Sequence, residues 1–174
     1  GHNDYDLATS NSFAAALVGF KGLHCTINGL GERAGNAPLS SVVAVVHDML
    51  RLETGIDEKK INKVSRFVEA FSGVIIPQNE PVIGENVFTQ CAGVHADGDK
   101  KDNLYCNALL PERFGREREY ALGKTSGKAN VRNNLEALGI ELSESDIKKV
   151  TERVIQLGDK KEIVTQFELP YIVS

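Results

Sequence analysis

Cysteine is scarce in this chain and badly spaced for structural chemistry. Cys25, Cys91 and Cys106 are odd in number and form no Cys-x-x-Cys pair, which disfavours a disulfide framework and a thiolate zinc site. They read as buried or half-buried thiols without chemistry, where free cysteine is commonly found. No apolar run approaches the roughly 20 residues that cross a bilayer, and no positively charged, apolar, small-residue leader opens the chain. The expectation is a cytoplasmic protein with no membrane partner. A basic excess is also missing. Lys and Arg number 20 against 24 Asp and Glu, for a net charge of −4, which argues against a nucleic-acid partner. Basic residues do cluster between Arg113 and Lys128, but Glu117 and Glu119 interrupt them, so a solvated surface and a phosphate-binding role are both open. There is no internal repeat or low-complexity tract.

What is present fits an ordinary globular chain. With 174 residues, 41% hydrophobic and 25% charged, it is long enough for one sizeable core or two small ones. Residues 8–20 are Ala-rich with Phe13, Leu17 and Phe20 at helical offsets, and residues 23–27 read as a short buried strand. Pro38 suits the first turn of a helix carrying the stripe Leu39, Val42, Val43, Val46, Met49 and Leu50 before Gly55. If His2 ends a strand, residues 1–52 read β-α-β-α, the alternation of parallel α/β folds, in which functional groups gather at the carboxyl ends of strands. Ile61, Val64, Phe67, Val68 and Phe71 form one face of a further helix ending near Gly73. Residues 81–123 are rich in glycine, amides and charge and read as loop. Two helices follow, residues 129–138 closed by Gly139 and residues 144–157 with Ser143 as N-cap and Gly158 at the end. Residues 169–174 form an apolar tail.

Two motifs carry the chemistry. Gly29-Leu30-Gly31-Glu32-Arg33-Ala34-Gly35-Asn36 joins the second apolar run to a helix through three glycines, which permit a loop that holds Glu32, Arg33 and Asn36 around a small ligand. Gly1-His2-Asn3-Asp4 opens the chain with a potential metal ligand. His2 and Asn36 lie 34 positions apart. Each offers a neutral donor, one nitrogen and one oxygen, to a divalent cation, and mixed N/O ligation suits Mg²⁺, Mn²⁺ or Zn²⁺. Glu32 suits acid/base work or substrate fixing, and equally an ion pair with Arg33 or with an upstream residue. Gly123-Lys124-Thr125-Ser126-Gly127-Lys128 is one residue short of a P-loop, and Ala129 stands where the metal-binding hydroxyl belongs. Its place before a helix still permits anion binding through backbone N–H groups.

These motifs resemble the isopropylmalate, homocitrate and citramalate synthase family, whose barrel carries His-x-His-Asn-Asp followed by Gly-x-Gly-Glu-Arg-x-Gly-Asn. The resemblance continues through Ala92-Gly93-Val94-His95-Ala96-Asp97-Gly98, Tyr105, Pro111-Glu112-Arg113-Phe114-Gly115 and the 123–128 segment. It implies an α/β fragment, the last two βα units of a TIM (β/α)8 barrel followed by mainly helical linker subdomains. Residues 1–53 would belong to the barrel, 54–123 to a linker with substrate-facing loops, and 124–174 to a helical subdomain. The first His of the signature is absent here, and the family's first strands, with their Asp ligand and keto-acid pocket, have no counterpart, so the polypeptide alone is expected to be inactive.

By the resemblance, His2 and Asn36 are half of a four-ligand metal set. His95, Tyr105 and Glu32 are the catalytic groups, with Asp97 orienting His95 or simply forming a turn. Independently of the resemblance, the place of Lys124, Ser126, Gly127 and Lys128 before a helix makes them the candidate contacts for the phosphates of acetyl-CoA. The implied reaction is a metal-dependent Claisen condensation of acetyl-CoA with a 2-keto acid, in a homodimer. 2-Isopropylmalate synthase, of leucine biosynthesis, is the leading reading, followed by citramalate and homocitrate synthase. A different class of function, a non-catalytic dimerisation or linker module, is the competing reading.

Overall fold

Helix α1, Ala8–Leu17, begins where the Asn3 side-chain oxygen accepts from the Ala8 N–H at 3.1 Å, which satisfies one of the donors a helix start leaves orphaned. The computed structural model describes residues 1–90, 108–160 and 164–173, and these fall into two compact units: Gly1–Val87 with Ala108–Glu117, and Phe88–Asn107 with Arg118–Ser174.

In the first unit α1 buries Ala8 and Ser12, and Ala8 joins Ala37, Val42 and Val46 in a small core shared with α2, Leu39–Leu50. Pro38 sits just outside α2 in an extended conformation instead of in its first turn, and Arg51, in the left-handed region, closes the helix ahead of Gly55. The expected strands are corrected. The segment 23–27 and the chain around His2 make only isolated bridges, Thr26 with Pro38 in parallel and His2 with Asn36 antiparallel. The reason is local: after one bridged pair each segment turns away, into the Ile27–Gly29 turn on one side and a turn at Asp4 on the other, so no ladder propagates.

Helix α3, Ile61–Ser72, ends at Gly73 with φ +71° as the apolar period requires. Its apolar face is nonetheless largely open. Ile61 and Ser65 are buried, whereas Val64, Phe67 and Phe71 are 39%, 53% and 89% exposed. Glu69 accepts from the Ile76 N–H at 2.6 Å and pairs with Arg66 at 2.9 Å, and these bonds hold its carboxyl below the usual carboxylate range. Arg113, on the short turn Pro111–Phe114, donates to both carboxylate oxygens of Glu58, to Asp48 of α2 at 2.6 Å and to the Ala108 carbonyl at 3.1 Å. All three charged side chains are about 85% buried, so their mutual pairing is what makes that burial tolerable.

The second unit has its own core. Strands β1, Thr89–Gln90, and β2, Glu119–Tyr120, pair in parallel with Thr89 opposite Glu119. Helix α4, Lys128–Ala137, carries Val131 and Leu135; α5, Glu144–Asp159, carries Ile147, Val150 and Val154; and α6, Leu169–Val173, carries Leu169. Two amides that no apolar pattern reveals secure the strands. Asn130 donates to the Ala121 carbonyl at 3.2 Å and Asn134 to the Tyr120 carbonyl at 2.7 Å. Ser143 caps α5 as expected, accepting from the Asp146 N–H at 3.2 Å. Residues 169–173 are helical instead of an apolar tail, and the turn leading into them is closed by a Thr165–Glu168 capping box.

Gly158 is the penultimate residue of α5, within one position of the end expected from the sequence. A Cβ there would lie 2.2 Å from the Lys124 backbone nitrogen, so the helix needs glycine to approach that loop. Gly158→Ala is expected to cost about 2 kcal/mol, in the range for overpacking. Thermal unfolding measures it, and an unchanged midpoint would mean the close approach is not a packed contact.

Candidate metal and substrate site

The Gly29–Asn36 loop closes on itself through backbone bonds. The Asn36 N–H donates to the Gly29 carbonyl at 2.8 Å and the Gly35 N–H to the Glu32 carbonyl at 3.0 Å. Gly35 has φ +84°, and a Cβ there would stand 2.2 Å from the Gly29 oxygen. Gly31 is required differently: its missing Cβ leaves the space that the Asn36 side chain fills, 2.1 Å from where that atom would be.

The loop is then stitched to the chain start. Asn3 N–H donates to the Gly35 carbonyl at 2.9 Å and Ala37 N–H to the Gly1 carbonyl at 3.0 Å, which makes His2 and Asn36 the opposed pair between those two bonds. In an antiparallel pairing, opposed residues of this kind carry their side chains on one face with Cβ atoms about 4.5–5.5 Å apart. The Asn36 side-chain nitrogen donates to the Leu30 carbonyl at 3.2 Å, so its oxygen is the atom left for a cation. Two donors are not a complete site, and among the described residues no group of three or more His, Cys, Asp or Glu side chains is arranged to hold a metal.

Arg33 does not chiefly pair with Glu32. It clamps Asp4 through two bonds, 2.8 and 3.1 Å, while Glu32 lies 4.0 Å away and is 86% exposed. The guanidinium holds the Asp4 carboxyl below its usual range. This clamp joins the two motifs 29 positions apart, and only their opposite charges hinted at it. Glu32 is left facing solvent, with its carboxylate unencumbered by a short ion pair.

In the second unit, Lys124, Ser126, Gly127 and Lys128 share one loop entering α4, with Gly127 as the flanking residue and Lys128 as the first helical one. Ser126 is buried, and its hydroxyl accepts from the Gly123 N–H at 2.8 Å and donates to the Ala121 carbonyl at 3.3 Å. Lys124 pairs with Asp159 at 3.2 Å on the surface. His95, Asp97 and Tyr105, with Cys91 and Cys106, lie outside the described residues. Cys25 is half-buried, and burial raises its thiol pKa, as befits a group without chemistry.

Residues 1–68 match the family model described as HMGL-like, and residues 82–162 the one described as homocitrate synthase post-HMGL domain-like. The chain belongs to this HMGL-like synthase family. It is 40% identical over 178 residues to 2-isopropylmalate synthase of Methylacidiphilum infernorum, covering 99% of this chain and 35% of that protein. It is 37% identical over 172 residues to (R)-citramalate synthase CimA of Methanocaldococcus jannaschii, again 99% of this chain and 35% of the relative. The chain thus spans about a third of the length of the curated relatives it matches. Among the described residues no helix is long and apolar enough to cross a membrane.

Proposed function

We propose that this chain supplies half of the metal site and the thioester-handling groups of a 2-isopropylmalate synthase, which joins acetyl-CoA to a 2-keto acid in leucine biosynthesis. The observation that carries this reading is the opposed pairing of His2 and Asn36 beside a loop whose amide is already oriented by Leu30. One nitrogen and one amide oxygen fit Mg²⁺, Mn²⁺ or Zn²⁺ as part of a larger set. A bound cation would act as a Lewis acid on the keto acid. The remaining chemistry belongs to the chain. His95 moves a proton between the acetyl methyl group and solvent, work suited to an imidazole, whose free pKa of about 6.5 lies near neutrality. Tyr105 donates a hydrogen bond to the thioester oxygen, and Glu32 fixes the substrate or relays a proton. Lys124 and Lys128, with the N–H group at Gly127, are the CoA phosphate contacts, while Ser126 shapes the loop, its own N–H donating to the Gly123 carbonyl at 3.0 Å.

In this reading residues 1–53 belong to the barrel, residues 54–123 to the substrate-facing linker and residues 124–174 to a helical subdomain, in a cytoplasmic homodimer without a nucleic-acid partner. The open apolar face of α3 favours self-association. Citramalate synthase, taking pyruvate, is the second reading, because relatives bearing either name are similar at nearly the same identity. Homocitrate synthase is third.

Calorimetric titration of Mn²⁺ into a synthase of the relatives' full length carrying this chain tests the metal pair. His2→Ala and Asn36→Ala are each expected to weaken binding by about tenfold or more, since losing a ligand costs at least as much as losing a partner behind one. Cys25→Ser should bind unchanged. Equal affinity in both ligand variants would remove them from the site.

A further inference from the structure

His2 and Asn36 face each other across a single bridge, held by the bond from the Asn3 N–H to the Gly35 carbonyl at 2.9 Å and that from the Ala37 N–H to the Gly1 carbonyl at 3.0 Å. Among the described residues no second rung continues that bridge, so the backbone alone does little to fix how one segment is twisted against the other. The next tie is made of side chains. Arg33 donates from Nε to Asp4 Oδ1 at 2.8 Å and from Nη2 to Asp4 Oδ2 at 3.1 Å, a planar fork that sets orientation as well as distance. Asp4 is two residues from His2, and Arg33 is three from Asn36. The turn that carries Asp4 is itself anchored. The Asn3 side-chain oxygen accepts from the Ala8 N–H at the start of α1, its nitrogen donates to Asp6 Oδ1 at 3.2 Å, and the Asp6 N–H donates to the Asn3 carbonyl at 3.0 Å. The fork therefore carries a position fixed on α1 across to the glycine loop.

Stability does not account for this clamp. The Arg33 and Asp4 side chains are 55% and 41% exposed, and ion pairs open to water add little to folding. Arg33 also stands at φ +59°, a left-handed backbone that costs most residues with a Cβ and that glycine or asparagine adopts more readily. Attraction of a metal does not account for it either, since a guanidinium in the loop repels a divalent cation. A strained cation kept beside a metal pair is explained by the geometry it imposes. We propose, on the reading of His2 and Asn36 as metal ligands, that Arg33 is a positioning residue: by clamping Asp4 it holds the two donors in register for one divalent cation.

Mn²⁺ titration calorimetry on a synthase of the relatives' full length carrying this chain tests the role, with thermal unfolding of each metal-free variant alongside. Arg33→Asn suits the left-handed backbone and removes the fork. It is expected to weaken Mn²⁺ binding by about tenfold at an unchanged unfolding midpoint, the scale of losing a group that orients a metal ligand. Arg33→Lys should weaken binding by a smaller factor, because an ammonium keeps the charge and loses the fork. Charge alone predicts tighter binding in the first variant and no change in the second. Mn²⁺ bound by Arg33→Asn as tightly as by the parent or more so, unchanged binding in Arg33→Lys, or affinity that falls only in step with the midpoint overturns the proposal. Asn36→Ala is the reference. If it too binds Mn²⁺ unchanged, the metal pair itself is wrong, whereas a weakened Asn36→Ala beside an unaffected Arg33→Asn overturns the positioning role alone.

Discussion

His95→Ala, in a synthase of the relatives' full length carrying this chain, is expected to lower kcat by about 10²–10⁴-fold, the usual contribution of a positioned acid–base group. The KM for the keto acid should change little, because the imidazole is assigned to the acetyl-CoA half of the reaction. Tyr105→Phe should follow the same pattern, losing a single hydrogen bond to the thioester. Steady-state kinetics of CoA release, with keto acid and acetyl-CoA varied separately, resolve the two parameters. A raised keto-acid KM at unchanged kcat would instead make these residues binding groups for the chelating substrate.

Gly35→Ala is the second large effect, and it is structural at its origin. The substitution adds a Cβ 2.2 Å from the Gly29 carbonyl at a residue whose φ is +84°. The clash is with backbone, so the loop itself must open, at an expected cost of about 3 kcal/mol. The Asn36 amide sits one residue further on, and Mn²⁺ affinity should fall with the stability. Gly55→Ala is the internal control. Gly55 also has positive φ, +71°, but nothing lies within 4 Å of its would-be Cβ, so only the conformational penalty of about 1 kcal/mol applies. Equal losses in the two variants, measured by thermal unfolding, would mean that the loop's close approach contributes nothing.

The helices were legible because their signals are local. The α2 stripe, the Ser143 cap and the terminating Gly73 and Gly139 all act within a few residues, and each appears where the pattern places it. Periodicity says which residues share a face, and not what covers it, which is why Val64, Phe67 and Phe71 align on α3 yet remain exposed. Strands failed for the complementary reason. A five-residue apolar run such as 23–27 becomes a ladder only if a neighbour continues alongside, and here each pairing stops after one bridge. Gly158 lies at the helix end as read, but the requirement for glycine there comes from Lys124, 34 positions away.

The same distinction governs the site. Gly29, Gly31 and Gly35 announced a tight loop by their spacing, and the loop formed, but the Arg33–Asp4 clamp and the opposed His2 and Asn36 depend on pairing between distant segments. The Asp48–Arg113–Glu58 group is more distant still, with partners 55 and 65 positions apart and no periodic pattern to connect them.

We propose a metal-dependent condensation of acetyl-CoA with a 2-keto acid, in which His2 and Asn36 serve the metal. Its most direct measurement uses the chain in place of the equivalent third of Methylacidiphilum infernorum 2-isopropylmalate synthase, to which it is 40% identical. CoA release from acetyl-CoA by the folded hybrid is predicted to require both a divalent metal and 2-ketoisovalerate, and to be lost in the Asn36→Ala hybrid. Keto-acid-dependent release that persists undiminished in Asn36→Ala, or a folded, metal-loaded hybrid that releases no CoA with 2-ketoisovalerate, pyruvate or 2-ketoglutarate, would contradict it.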